Sequence, residues 1–145
     1  MTYRIRGSRG YLTREFFEYA VERIPDAIRV AFAIHEGKRI AMSFCLRDQK
    51  TLYGRYWGAL YDVDCLHFET CFHQWIEDAI EQGIERFDPG AQGEHKISRG
   101  YLPNLTYSNH WFNNETLSGP IEDFLSRENK KTVEVADYLS KFSPF

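Results

Sequence analysis

The chain has few cysteines and no long apolar run, and each shortage removes a class of protein. Its three cysteines, Cys45, Cys65 and Cys71, are odd in number and lack CxxC spacing. That excludes a disulfide framework and a standard zinc knuckle. Buried packing is the ordinary role of such thiols, and it suits a reducing, cytoplasmic compartment. No segment approaches the apolar length of a membrane span, and Met1-Thr2-Tyr3-Arg4 does not begin a secretory signal. A GxSxG elbow, a Walker loop and a dinucleotide fingerprint are all missing. Positive charge is also short: 18 Lys and Arg against 21 Asp and Glu give a formal net charge of -3. That balance makes no general electrostatic case for nucleic acid. The local exception, Arg4, Arg6, Arg9 and Arg14, reads first as a solvated terminus, with anion binding as the alternative.

What is present suits one domain. The chain has 145 residues, 43% hydrophobic and 16% aromatic, enough to bury a core. Thr13 is placed to cap a helix running to about Arg23, with Phe16, Phe17, Ala20, Val21 and Ile24 on its buried side. Ile28 to His35 alternates and is rich in branched residues, and Glu36-Gly37 turns it into a second strand, Arg39 to Leu46. A turn at Arg47-Asp48-Gln49-Lys50 leads to a third strand, Thr51 to Trp57. Asp64 would then cap a helix from about Cys65 to Gln82. Phe68, Phe72, Trp75, Ile76, Ala79 and Ile80 lie inward on that helix, and Glu69, His73, Glu77, Asp78 and Glu81 outward. Gly83 ends it. Ile84 to Phe87 and Leu105 to Phe112 read as further strands, and Pro120 onward as a helix to about Phe142. This order is an α+β plan: a central mixed, mostly antiparallel sheet flanked by helices.

The chemistry concentrates after Phe87. The run Asp88-Pro89-Gly90-Ala91-Gln92-Gly93-Glu94-His95-Lys96 leads into Ser98-Arg99-Gly100 and carries a carboxylate, an imidazole, an ammonium and a guanidinium. Loops at strand ends are where a scaffold presents such groups. Glu94 or His95 could accept a proton from an amine. Lys96 and Arg99 suit phosphate or carboxylate, and Gln92 and Gly93 would line the approach. The competing structural reading is that Gly93 and Glu94 start a short helix with Glu94 and Lys96 solvated. In the third strand, alternation puts Tyr53, Arg55 and Trp57 on one face and Gly54, Tyr56 and Gly58 on the other. A ligand beside Gly54 and Gly58, walled by Tyr56, competes there with an aromatic core. His67 and Glu69, at the start of the long helix, lie near that strand's end. Cys65, His67, Glu69, Cys71 and His73 look metal-like, but helical spacing points the His67/Cys71 and Glu69/His73 pairs to different sides, so no metal site is expected.

These residues carry a resemblance. Leu52-Tyr53-Gly54-Arg55-Tyr56-Trp57-Gly58, Leu66-His67-Phe68-Glu69, Phe87 to Lys96 with Arg99-Gly100, Tyr107-Ser108 with His110-Trp111, and Ser143-Pro144-Phe145 resemble the C-terminal half of the bacterial FemAB-like predicted N-acyltransferases. That family is labelled as peptidoglycan biosynthesis or recognition. The resemblance implies a GNAT-like acyltransferase fold in which donor and acceptor meet where the sheet splays. Tyr56, Trp57 and the loop after Phe87 would border that cleft.

The implied reaction joins an acyl or aminoacyl group to the amine of a small molecule or peptide, such as a peptidoglycan precursor. Acyl-CoA would be the donor, or aminoacyl-tRNA as in Fem transferases, with no bound cofactor. The glycine signature that cradles CoA pyrophosphate in ordinary GNAT enzymes is absent between Gly58 and Asp64, and the net charge does not support tRNA. Family members carry two related halves. A chain holding the second half alone is either a fragment or a unit that dimerises to supply the other. The alternative expectation is a non-catalytic module that recognises a peptide or cell-wall fragment.

Overall fold

Branched residues alternating from Ile28 onward build a meander that organises the first part of the molecule. A computed structural model describes residues 12–90, 94–113 and 115–144. The chain divides into two units, Met1–Ala91 and Gln92–Phe145.

In the first unit, α1 (Arg14–Arg23) leads through a short 3-10 turn (Pro25–Ala27) into β1 (Ile28–His35), β2 (Lys38–Arg47) and β3 (Thr51–Ala59). The β1–β2 hairpin closes through Glu36 and Gly37, both at positive φ, the conformation a two-residue turn between twisted strands requires. Asp48 organises the next turn. Its carboxylate accepts the backbone N–H groups of Lys50 (2.8 Å) and Thr51 (2.7 Å) and the Tyr53 hydroxyl (2.9 Å). Those bonds, the two backbone donors foremost, hold its carboxyl below the usual range.

After β3 come α2 (Leu66–Phe68), a π turn (Glu69–His73), α3 (Gln74–Glu81) and β4 (Arg86–Asp88). The strands form one mixed open sheet in the order β1-β2-β3-β4, antiparallel except for the parallel β3–β4 pair. α3 ends as expected: Gly83 takes φ 66°, its N–H bonds the Ile80 carbonyl (3.2 Å), and the Ile84 N–H bonds that of Ala79 (2.8 Å). This paired closure needs a left-handed residue, and glycine adopts that conformation without a Cβ clash.

Helices cover both faces of the sheet. On one, Cys45, Leu52 and Trp75 form the core, with Ala31, Ile84 and Phe87 packed against it. Two polar contacts through Ser43 join sheet to helix, and a third lies within the helical run. The Trp75 indole N–H donates to Ser43 Oγ, the Ser43 hydroxyl donates to the Thr70 carbonyl, and the Thr70 hydroxyl donates to the Leu66 carbonyl, each at 2.8 Å. Burial pushes the Cys45 and Cys71 thiols up to about 12, so both are neutral packing groups, while Cys65 is exposed. On the other face, Phe17 of α1 meets Phe44 and Tyr56 edge-on.

The departures from expectation have local causes. Thr13 and Cys65, rather than Thr13 and Asp64, occupy the N-cap positions, and neither makes a side-chain cap bond. α1 buries Ala20, while Phe16, Val21 and Ile24 stay exposed. The π turn inserts an extra residue per turn and rotates the helix beyond it. Ile76 and Ile80 therefore face outward at 37% and 74% exposure, and Asp78 turns inward to pair with the Arg29 guanidinium. β4 starts at Arg86 because Ile84 closes the helix end and Glu85 donates to the Lys50 carbonyl.

In the second unit, Glu94–Arg99 is a 3-10 helix, and Glu115–Ser140 forms α4. α4 begins before Pro120, which it holds in its second turn, past the first-turn positions whose N–H groups have no helical partner. Leu105 to Phe112 forms no strand among the described residues. Its alternation is a strand pattern without a paired neighbour, and an unpaired strand gains no ladder bonds.

Two measurements check this arrangement. Ser43→Ala orphans the buried Trp75 donor and should cost about 1–3 kcal/mol in urea unfolding followed by tryptophan fluorescence. Because the Asp48 carboxyl is depressed in the folded state, its contribution is fully present above the unfolded value, about 4, and is lost as pH falls through the folded value. The stability gap between the parent chain and Asp48→Asn should therefore close on acidification below that pH, as read by thermal unfolding.

Candidate functional site

The parallel pair β3–β4 is short because only Thr51, Leu52 and Tyr53 find partners, opposite Arg86, Phe87 and Asp88. β3 then runs on to Ala59 beyond the last β4 partner. The chain leaves β4 through a tight turn in which the Asp88 carboxylate accepts the Gly90 N–H (2.8 Å), with Gly90 at φ 86°. This turn lies against β3. A Cβ built on Gly54 would sit 3.4 Å from Pro89 Cα and 3.5 Å from the Asp88 carbonyl oxygen. The close approach that the strand glycine signals is thus to the chain's own turn, and the ligand expected beside Gly54 has no room there. Gly58 faces open space.

The same strand contains a bulge. Phe44 pairs with Tyr56, but Cys45 pairs with Gly54, leaving Arg55 as the additional residue. Cross-strand partners share a face. Tyr53 and Tyr56 consequently fall together on the α1 side, and Trp57, opposite Ser43, falls on the α3 side. This corrects the simple alternation, which grouped Tyr53 with Trp57. Arg55 is exposed at the bulge, its guanidinium over the Tyr53 ring and donating to the Gly54 carbonyl (3.1 Å). Sequence alternation gives Arg55 no special place, and only the register reveals it.

Of the expected site residues in this unit, Trp57 and His67 come together, ring edge to ring face at 5.4 Å, and His67 also meets Phe68 and Phe72. Tyr56 lies on the opposite face, packed on Phe17 and Phe44. Glu69 points outward, accepting from Gln74 (2.9 Å) and contacting His73 Nδ1 (3.0 Å), and these partners, Gln74 first, hold its carboxyl below the usual range. The Glu69–His73 pair stands as the four-residue spacing placed it, and Gln74 is the partner that spacing did not name. Among the described residues no group of three or more His, Cys, Asp or Glu could hold a metal ion, and no helix is long and apolar enough to cross a membrane.

In the second unit, Gln92, Gly93 and the side chain of Glu94 lie outside the described residues. His95, Lys96 and Arg99 ride the 3-10 helix. The Arg99 guanidinium donates to the His95 carbonyl (2.6 Å), as does the Ser98 hydroxyl (2.8 Å). Gly100, at φ 88°, closes this helix as Gly83 closes α3, with its N–H on the Ile97 carbonyl and the Tyr101 N–H on that of Lys96. From Glu94 onward the backbone of the expected loop is a short 3-10 helix, as the competing structural reading had it, with Lys96 half-buried rather than solvated.

A meander followed by one helical crossover to a parallel strand, with helices on both sheet faces, defines an open-sheet α+β protein. A family model for FemAB-like proteins, described as peptidoglycan biosynthesis/recognition, matches residues 1–145, so the chain belongs to the FemAB-like family. The match extends upstream of the motif stretches that begin at Leu52. No curated protein and no solved structure matches the chain.

The Gly54 contact gives a graded test. Gly54→Ala, at the limit of ordinary van der Waals contact, should leave urea stability nearly unchanged. Gly54→Val should overpack against Pro89 and cost about 1–3 kcal/mol.

Proposed function

We propose that this protein is an N-acyltransferase of GNAT-like fold, joining an acyl or aminoacyl group to an amine of a peptidoglycan precursor. One observation carries the reading: β3 and β4 pair in parallel over only three residues, beside the Arg55 bulge, and β3 then continues past the partner's end. Such an opening at a sheet is where a thioester or ester donor can lie along exposed strand backbone, its carbonyl facing donors that stabilise developing negative charge. Backbone N–H groups near Gly58 would take that role. The family's link to peptidoglycan supplies the acceptor class. Free cysteines support a cytoplasmic setting, where such precursors are built.

The reaction is direct attack by the amine on the activated carbonyl. Its nitrogen–carbon bond forms as the thiolate or ribose oxygen of the donor leaves, and the amine's proton passes to Glu94 or His95 as general base. Lys96 and Arg99 anchor an anionic part of a substrate. Trp57 and His67, which meet at the end of β3, are proposed to line the substrate path.

A second reading, a non-catalytic peptide or cell-wall recognition module, draws on the start of the helical run. That start offers no glycine cradle for a pyrophosphate, only a three-residue α2 behind Cys65 at φ 61°.

Thermal unfolding with a panel of acyl-CoA compounds, followed by turnover assays, separates the two. A donor at a hundredfold excess over its dissociation constant adds about 2.7 kcal/mol to the folded state. That shift should weaken in Arg99→Ala, and Glu94→Gln should abolish turnover while keeping the fold. Full turnover in Glu94→Gln passes the base role to His95. Saturable binding of a peptide or cell-wall fragment, with no transfer from either acyl-CoA or aminoacyl-tRNA, leaves the recognition module.

A further inference from the structure

The segment between the two helices of the second unit has an unusual composition. From Gly100 to Asn114 there is no Asp, Glu, Lys or Arg, in a chain that is 27% charged. In their place stand Asn104, Asn109, Asn113 and Asn114, hydroxyl residues, one histidine and aromatic rings. The backbone from 101 to 112 adopts neither helix nor strand.

Side-chain contacts show how the segment is laid out. Ser108 Oγ meets His110 Nε2 at 2.9 Å, and the His110 ring stacks on Phe112. Those contacts two residues apart place Ser108, His110 and Phe112 on one side, as an extended chain does. Tyr107, Asn109 and Trp111 then project from the other. Both rings are open to solvent, Tyr107 at 91% and Trp111 at 83% exposure. Rings of this size normally bury much of their area, so two on one side of an uncharged strip mark a binding surface.

We propose that Tyr107, Asn109 and Trp111 form a strip that binds a neutral oligosaccharide bearing N-acetyl groups, the glycan portion of a peptidoglycan. The aromatic faces stack on pyranose C–H surfaces. The Asn109 amide, donor and acceptor at once, pairs with acetamido and hydroxyl groups. At about 3.3 Å per extended residue, the rings stand roughly 13 Å apart. That exceeds one pyranose and fits a chain of sugars. The lack of cations argues against nucleic acid, whose binding is dominated by phosphate neutralisation. The inference rests on the peptidoglycan part of the proposed function and is independent of acyl transfer.

The test is calorimetric titration of the full chain with chitotetraose, with maltotetraose and a peptidoglycan stem peptide as controls. Chitotetraose should bind in preference to both controls. Trp111→Ala and Tyr107→Ala should each weaken it by about tenfold or more, the loss expected of a stacking ring. Trp111→Phe should retain most of the affinity, and circular dichroism should be unchanged in all three variants. No heat with the parent chain, equal affinity in Trp111→Ala, or a preference for the stem peptide would each overturn the proposal. So would a homodimer in sedimentation that Trp111→Ala dissociates, since the rings would then serve a second copy. Chitotetraose binding as stated, without acyl transfer from any donor, would remove the transferase reading and leave this one standing.

Discussion

A single buried hydroxyl holds the first unit together. Ser43 stands at the centre of β2, accepts the Trp75 indole proton and gives its own to the Thr70 carbonyl. Apart from the Arg29–Asp78 ion pair, sheet and helix would otherwise meet through apolar contact, which is non-directional. Ser43 fixes both the rotation of α3, through Trp75, and the height of the π turn, through Thr70. The core of Cys45, Leu52 and Trp75 assembles around that fixed point. A buried polar group satisfied on both its donor and its acceptor side specifies one arrangement, where an apolar residue of similar size would tolerate several.

Much of this unit was legible because its signals are local. Alternation from Ile28 and the Glu36-Gly37 turn gave the hairpin, and Gly83 gave the helix end through the only backbone conformation that closes it cleanly. The misses share a cause: each is a break in periodicity that a periodic reading cannot see. The Arg55 bulge shifts the strand's phase by one residue, and the π turn shifts the helix's. Between them they account for Tyr53, Trp57, Ile76, Asp78 and Ile80 lying elsewhere than a regular strand or helix would put them. Leu105 to Phe112 failed differently. Its side chains alternate as in a strand, but a strand exists only with a neighbour to bond.

The candidate site was legible in part. Trp57 and His67 meet because a strand end and the following helix start are close in sequence and in space. Tyr56 departs from them because it is Trp57's neighbour in the strand, and adjacent residues face opposite sides. For His95, Lys96 and Arg99, residue type suggested chemistry, while local structure placed them on a short helix whose own carbonyl engages Arg99. Residue types name a reaction class more readily than they name the atoms that perform it.

The bulge has a further consequence for the chain's history. Because Arg55 is the odd residue out, the two stretches of β3 on either side of it are locked in opposite phase. Loss of Arg55 would close the bulge and leave Tyr53 and Trp57 in the layers they face now, whereas loss of a second residue would exchange the layer of one of them. The extra residue is thus a reserve: β3 can lose it and keep both layers, while Gly54, against Pro89, takes no side chain larger than alanine without overpacking.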